Sequence, residues 1–159
     1  MRSIPTRGFT IIELMITVAV GAILIATAVP SFTESIARAR LEGAVNELSV
    51  DLQYTRSEAI RRRTVAALTT DNAGTTYTLT YLDASTASNV TFKTVTLPIN
   101  VTLTSNAAVQ FSSLRGLAAA QTIEASSANT TSTLRVLTNA TGRVQLCSPS
   151  ASFGGYPSC

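Results

Sequence analysis

The first apolar stretch of the chain runs from Phe9 to Val29 and contains a single ionisable side chain, Glu13. Its 21 residues are enough to cross a bilayer, since a spanning helix needs about 20 apolar residues. We therefore expect a membrane-spanning helix over 9–29.

From 30 to 64 the apolar residues keep a helical spacing but cover one face only. The residues on this predicted face, at intervals of four, three, four and seven, are Leu41, Val45, Leu48, Leu52 and Ala59. Helical character extends from Phe9 to Arg63, with Pro30 as the one internal breaker. Pro30 removes a backbone hydrogen bond and predicts a kink where the helix leaves the bilayer. The cations of Arg61–Arg63 complement the negative end of the helix dipole, and a binding role is the alternative.

Beyond the helix the pattern changes to the alternation that is typical of strands. Two segments rich in β-branched and aromatic residues, 76–82 and 90–97, predict strands, with turn formers at 71–74. Shorter strands are expected at 107–111, 121–125, 133–138 and 143–147. The last two of these flank 139–142 and are interpreted as a hairpin. About six strands after one long helix predict an α+β fold, with an antiparallel sheet wrapped on the helix.

Glu13 stands out because a carboxylate in hydrocarbon costs several kcal/mol unless a cation pairs with it. Cleavage of the peptide bond after Gly8 would leave an α-amino group on Phe9, four residues before Glu13. That cation can pair with the Glu13 of a neighbouring copy in a filament. The same cleavage would remove a short basic leader.

Two simpler interpretations of the N-terminus are a secretory signal peptide and a plain single-pass anchor. A signal peptide fits poorly, because no Ala-x-Ala site follows the apolar run and the run is long enough to span a bilayer. A plain anchor, with Arg2 and Arg7 holding the N-terminus in the cytoplasm, leaves Glu13 unexplained.

The residues of Arg7–Leu14, Arg-Gly-Phe-Thr-Ile-Ile-Glu-Leu, resemble the class III signal of type IV pilins and type II secretion pseudopilins. The resemblance implies that prepilin peptidase cleaves after Gly8 and methylates Phe9, and that Glu13 sets the register between subunits. It also implies the type IV pilin fold, in which the second half of a long N-terminal helix packs on an antiparallel β-sheet head. The expected segments are a leader over 1–8, a membrane or filament-core helix over 9–29, its amphipathic continuation over 30–64 and a β-rich head over 65–159.

Composition argues against an enzyme. The chain carries 12 basic and 9 acidic residues, a net charge of +3, and loss of Arg2 and Arg7 with the leader would reduce this to about +1. Histidine is absent, the head has few carboxylates, and no Gly-rich phosphate loop is present. No nucleophile and base pair, acid pair or metal cluster is evident. We expect a structural protein without a cofactor or a metal.

The two cysteines, Cys147 and Cys159, lie at the end of a sequence that the leader would direct across the membrane. Outside the cytoplasm such a pair is expected to form a disulfide, which would hold the C-terminal tail on the last strand. Closing a loop of this length stabilises by roughly 2 to 3 kcal/mol in the chain-entropy model. Two cysteines without a histidine supply too few ligands for zinc.

Three further segments resemble the FimT/GspH group of minor pilins and pseudopilins. Residues 52–62 are similar to the group's pattern Leu-x-x-Ala-Arg-Ser-Glu-Ala, and 111–116 and 142–147 resemble its later strands. Together with the leader, the resemblance spans nearly the whole chain. It implies a low-abundance subunit at the filament tip that helps to start assembly.

Within that group, FimT-like proteins of naturally competent bacteria are implicated in DNA uptake and carry a Gly-Arg-x-Arg signature. Here Gly142 and Arg143 match the signature, whereas Gln145 occupies the place of the second arginine. Glutamine can hydrogen-bond a phosphate but neutralises none, so we expect at most weak, salt-dependent DNA binding. A solvated turn residue is the alternative role of Arg143. The other basic residues expected to contribute to DNA binding are Arg115, Arg135 and Lys93.

These observations predict a minor type IV pilin of the FimT kind. It would be held in the inner membrane, processed, and then incorporated with other pilins into a periplasmic or extracellular pilus through the N-terminal helix. One alternative is a DNA-binding minor pilin for natural transformation, and another is a GspH-like pseudopilin of a type II secretion system. The disulfide loop favours a pilin, and the FimT/GspH-like segments favour a minor over a major subunit.

Overall fold

One long helix dominates the N-terminal part of the chain. A computed structural model describes residues 8–149 and 153–159, with the side chains in that part except those of 27–30. Helix α1 extends over Ile11–Arg62, slightly shorter at both ends than predicted. It begins after Thr10, whose hydroxyl accepts the backbone N–H of Glu13 at 3.3 Å and so acts as an N-cap.

The C-terminal end of α1 is a Schellman motif. Arg63 takes the left-handed conformation with φ 54°, and the Thr64 N–H donates to the Ala59 carbonyl at 3.1 Å while the Arg63 N–H donates to Ile60 at 3.3 Å. Arginine occupies the position that usually carries glycine. This motif turns the chain from the helix directly into the first strand.

The chain divides into two compact units, one that ends at Ser35 and one that spans Ile36–Cys159. The first unit contains the apolar part of α1, which continues as helix through Pro30; the kink at Pro30 stays a prediction. The second unit, here called the head unit, contains the rest of α1 and all the strands that the structure describes.

The strands of the head unit form two four-stranded antiparallel sheets, one in the order β3-β2-β1-β5 and one in the order β4-β6-β7-β8. Their bounds are β1 Ala66–Thr70, β2 Thr76–Asp83, β3 Ser88–Thr96, β4 Val101–Ser105, β5 Val109–Phe111, β6 Gln121–Ser127, β7 Thr130–Thr138 and β8 Val144–Cys147. The α+β class and the helix-on-sheet arrangement are confirmed. The prediction of a single sheet is wrong, because β4 pairs with β6 while β5 returns to β1.

Two strands, β1 and β4, were not predicted. β1 reads Ala-Ala-Leu-Thr-Thr, a weak strand sequence, yet it lies inside its sheet between β2 and β5. Backbone pairing on both sides compensates for low intrinsic propensity. The predicted hairpin is confirmed, since β7 pairs with β8 around Asn139–Gly142 with Thr138 opposite Val144.

The core lies between α1 and the two sheets. All five residues of the predicted helix stripe are fully buried, so the helical spacing identified the covered face correctly. Sheet residues complete the core from both sides, among them Tyr77, Leu79, Phe111, Ile123 and Leu134. The head unit therefore has a hydrophobic core of its own.

Candidate functional site

The predicted processing site lies just ahead of α1. Gly8 and Phe9 precede the helix and are exposed, with Phe9 at 74%. Glu13 is also exposed, in the first helical turn. Cleavage after Gly8, methylation of Phe9 and the assembly role of Glu13 stay predictions.

The described side chains in the apolar part of α1 are largely exposed. A strongly apolar window of 18 residues contains no buried residue, and α1 is by length and composition able to cross a membrane. Large side chains such as Ile11, Met15 and Ile25 are each more than 60% exposed. Exposed apolar surface of this extent is typical of a site that contacts a membrane or another protein.

The three segments that resemble the FimT/GspH group meet at Arg56. This half-buried arginine on α1 donates from Nε to the Gly116 carbonyl at 3.1 Å and from Nη2 to the Thr141 carbonyl, also at 3.1 Å. The first carbonyl belongs to the loop after β5 and the second to the β7–β8 turn. Arg56 therefore ties the end of the helix to both sheets.

Two glycines permit this junction. Gly116 and Gly142 have φ of 60° and 72°, a region that side chains disfavour. A Cβ on Gly142 would lie 2.0 Å from the Gly116 carbonyl oxygen, and one on Gly116 would lie 2.7 Å from Arg56 Cγ. The two loops thus approach each other as closely as glycine allows.

Lys93, one of the predicted DNA contacts, is engaged in an ion pair inside the head unit. Its Nζ lies 2.7 Å from both carboxylate oxygens of Asp51 and 3.5 Å from Glu47. The Asp51 hydrogen bond raises the pKa of Lys93. Tyr77 also donates to Asp51 at 2.7 Å, and burial raises the pKa of that hydroxyl. This network joins α1 to the β2–β3 hairpin, a role that sequence reasoning missed.

The other residues predicted to contact DNA differ in whether a carboxylate already binds them. Arg135 pairs with Glu124 on the neighbouring strand at 2.7 Å. Arg115, Arg143 and Gln145 are exposed. Gly116 and Gly142 are in contact, so Arg115 and Arg143 lie on adjoining loops, whereas Lys93 and Arg135 already have carboxylate partners.

Glu58, in the FimT/GspH-like segment, forms ion pairs with arginines at the end of the helix. It is only 5% exposed and accepts from Arg61 at 2.7 and 2.9 Å and from Arg62 at 2.7 Å. The Arg61 hydrogen bond lowers the pKa of Glu58. The Arg62 guanidinium also lies 4.0 Å from the centre of the Tyr81 ring. These contacts favour the structural interpretation of the arginine run over a binding role.

The predicted disulfide is confirmed: Cys147 on β8 is bonded to Cys159, 12 residues later. The tail it closes packs against α1. Phe153 is buried in the core, and the Tyr156 hydroxyl donates to Glu42 at 3.0 Å. The disulfide thus holds the tail both on β8 and on the helix. Among the described residues, no cluster of three or more His, Cys, Asp or Glu side chains could hold a metal ion.

Comparison with protein-family models gives two matches. Residues 44–142 match the family described as type II transport protein GspH, and residues 5–29 match the prokaryotic N-terminal methylation motif. The first match contains Arg56, both junction glycines and most of the two sheets. The second contains Gly8, Phe9 and Glu13. No curated protein matches the sequence.

Solved structures with the same fold include a minor pilin and a pseudopilin. The type IV minor pilin FimU of Pseudomonas aeruginosa has a TM-score of 0.57 at 21% identity, covering 69% of this chain and 89% of FimU. The minor pseudopilin EpsH of the Vibrio cholerae type 2 secretion system has a TM-score of 0.60 at 15% identity, covering 69% of this chain and 98% of EpsH. These structures show that the chain has the type IV pilin fold, and the family match with the N-terminal motif identifies a pilin or pseudopilin. The chain belongs to the GspH family of structural pilin and pseudopilin proteins and carries the prokaryotic N-terminal methylation motif.

Proposed function

We propose that this chain is a prepilin that becomes a minor subunit of a type IV pilus. Prepilin peptidase removes residues 1–8 and methylates Phe9, and the apolar helix of 9–29 anchors the mature protein in the inner membrane. The subunit then moves into a periplasmic or extracellular filament through this helix. The observation that carries the proposal is the single carboxylate of Glu13 in an apolar run, of which a window of 18 residues contains no buried residue.

Assembly exchanges lipid for neighbouring helices around the same apolar surface. This exchange has little hydrophobic driving force of its own, because lipid tails are as apolar as leucine side chains. A polar contact can therefore determine how subunits align. Pairing of Glu13 with the N-terminal amine of a neighbouring subunit removes an uncompensated charge from an apolar environment, where it costs several kcal/mol.

Two substitutions test the proposal in cells. Gly8→Val should block removal of the leader, and an unchanged mature mass in that variant would refute the cleavage site. Glu13→Ala should leave the protein in the membrane but reduce its incorporation into filaments at least tenfold. Glu34→Ala, a carboxylate outside the apolar run, is the matched control. Normal incorporation of Glu13→Ala would refute the pairing mechanism.

A GspH-like pseudopilin of a type II secretion system is the alternative, and the family match supports it equally. Deletion of the gene separates the two functions when piliation and export of secreted enzymes are scored together. A loss of pili with normal export supports the pilin. Loss of export with normal piliation supports the pseudopilin.

Fewer cationic residues are available to contact DNA than the sequence suggested. Lys93 and Arg135 are paired with carboxylates, and Gln145 adds no charge, which leaves Arg115 and Arg143. Two phosphate contacts give a shallow dependence of affinity on salt, with a logarithmic slope of about −2. A salt titration of the Arg143→Ala variant against the unmodified protein measures whether DNA binds there.

A further inference from the structure

An exposed surface of apolar and cationic side chains covers the junction held by Arg56. Leu114 is 86% exposed, more than any other large apolar side chain in the described part of the chain, and Leu117 and Ile60 are 44% and 43% exposed. Arg115 and Arg143 are exposed beside them. We call Ile60, Leu114, Arg115, Leu117 and Arg143 the arginine–leucine patch.

The loops that carry the patch are held by hydrogen bonds. In the first loop, the Gly116 N–H donates to the Ser112 carbonyl at 3.0 Å, and the Leu117 N–H donates to the Ser112 hydroxyl at 3.1 Å. In the second, Asn139 Oδ1 accepts the Arg143 N–H at 2.9 Å. Arg56 connects the two loops from beneath. The backbone of both loops is therefore ordered before a partner binds, which reduces the conformational entropy that docking costs.

The cations of the patch have no carboxylate partner inside the described chain. No described carboxylate lies within ion-pair distance of Arg115 or Arg143, or of Arg56 beneath them. By contrast, carboxylates pair with Lys93, Arg61, Arg62 and Arg135. The patch therefore presents uncompensated positive charge around an exposed leucine. Its complement is a segment with carboxylates and an apolar side chain.

A second copy of this chain is a weaker complement, because the carboxylate side chains of its head unit already have partners. Each Asp and Glu side chain of the head unit already binds a group of its own chain: Glu42 binds Tyr156, Glu47 and Asp51 bind Lys93, Glu58 binds Arg61 and Arg62, Asp71 binds Thr75, Asp83 binds Ser85 and Glu124 binds Arg135. Pairing with a second copy would therefore compete with existing contacts. A different protein is the better complement.

We propose that the arginine–leucine patch docks an acidic, apolar segment of a different pilin-like subunit in the same assembly. Leu114 enters an apolar pocket of that subunit, and Arg115 and Arg143 pair with its carboxylates in the fork geometry that guanidinium groups favour. DNA would satisfy the two arginines but leave Leu114 in water. The inference rests on the proposed function, because it takes the partner from the filament.

Photo-crosslinking of the full-length protein in its own host tests the docking. A photoreactive amino acid replaces Leu114, and in a matched control it replaces Ile99, which is 77% exposed outside the patch. We expect an adduct from position 114 alone, mapped by mass spectrometry to an acidic segment of another pilin-like subunit. Combined Arg115→Glu and Arg143→Glu should reduce this adduct at least tenfold.

Charge exchange separates docking from incidental proximity. Reversing the carboxylates of the mapped segment should restore the adduct of the doubly charge-reversed protein, and Arg63→Glu, at an exposed arginine outside the patch, should leave it unchanged. Four results would overturn the inference: no adduct, an adduct with a second copy, a nuclease-sensitive adduct, or an adduct indifferent to charge reversal.

The same cells report separately on the proposed function. Leader removal and incorporation of the unmodified chain into filaments are measured beside the crosslink. Normal processing and incorporation without the adduct refute the docking surface alone. A retained leader refutes the proposed function itself.

Discussion

Replacing Gly142 with alanine measures how closely the two loops of the junction meet. A Cβ at this position would lie 2.0 Å from the Gly116 carbonyl oxygen, whereas ordinary contact begins near 3.4 Å. The obstructing atom belongs to the backbone, so one loop must move by about 1.4 Å. That displacement pulls one or both carbonyls away from Arg56, which holds them at 3.1 Å.

The expected cost combines conformation with lost hydrogen bonds. Alanine at a left-handed φ costs roughly 1–2 kcal/mol, and each hydrogen bond to a charged group contributes about 1.5–3 kcal/mol. Water can replace part of this, because Arg56 is only half-buried. We expect Gly142→Ala to reduce the free energy of unfolding of the head unit by about 3–5 kcal/mol.

Two other glycines provide matched controls. Gly155 has φ 93°, and nothing lies within 4 Å of the position that a methyl group there would occupy, so Gly155→Ala should cost only the conformational 1–2 kcal/mol, roughly. Gly116→Ala meets the flexible side chains of Arg56 and Ile60 at 2.7 to 3.0 Å and should fall between the two. This predicted order of destabilisation distinguishes a steric clash with the backbone from the conformational strain of a left-handed alanine.

Urea denaturation of a soluble fragment of residues 36–159, followed by circular dichroism, measures all three variants. A slope of about 1–3 kcal/mol per molar urea converts the difference between Gly142→Ala and Gly155→Ala into a midpoint shift of roughly 1–2 M. Equal midpoints for these two variants would refute the close approach of the loops. A changed slope would instead indicate altered compactness of one state.

Three further predictions concern stability and use the same fragment. Lys93→Met should reduce the free energy of unfolding by about 3–5 kcal/mol and Asp51→Asn by about 2–3 kcal/mol. The first loss is larger because Asp51 is buried and would keep an unpaired charge, whereas Lys93 is partly exposed. Equal losses of stability in urea denaturation would contradict this. The lowered pKa of Glu58 means that its carboxylate stabilises the head fully above its usual value near 4.5 and that this contribution is lost as the pH falls below it. Glu58→Gln should therefore flatten the acid side of the stability profile, and an unchanged profile would count against the Arg61 contact. Replacing Cys147 and Cys159 together with serine should cost about 2–3 kcal/mol, and reducing agent should lower the unfolding midpoint of the unmodified fragment equally and leave the variant unaffected.

Features encoded by local spacing were predictable from the sequence. The stripe from Leu41 to Ala59 is buried as the helical period required. The turn formers of Asp71–Gly74 do connect two strands, with the Gly74 N–H donating to the Asp71 carbonyl at 3.1 Å. Turn chemistry and helical periodicity depend on a few neighbouring residues, so one sequence is enough to read them.

Features that depend on distant residues were not predictable. The division into two sheets follows from β5 pairing with β1 across more than thirty intervening residues, a choice that no local pattern records. Arg56 was recognised only as part of a resemblance, because its carbonyl partners lie 60 and 85 residues away. Lys93 and Arg135 looked like available cations for the same reason, since their carboxylate partners come from other elements.

The tail closed by the disulfide has a mechanical consequence. Phe153 and Tyr156 pack against α1 near Glu42, while Cys159 is bonded to Cys147 of β8. A force applied along α1 from its N-terminal side would thus reach β8 by two routes. One is the hydrophobic core, and the other is the packed tail with its disulfide bond to β8. The disulfide keeps the tail on β8 even if its contacts with α1 are lost, so that the tail and this strand would separate from the helix together.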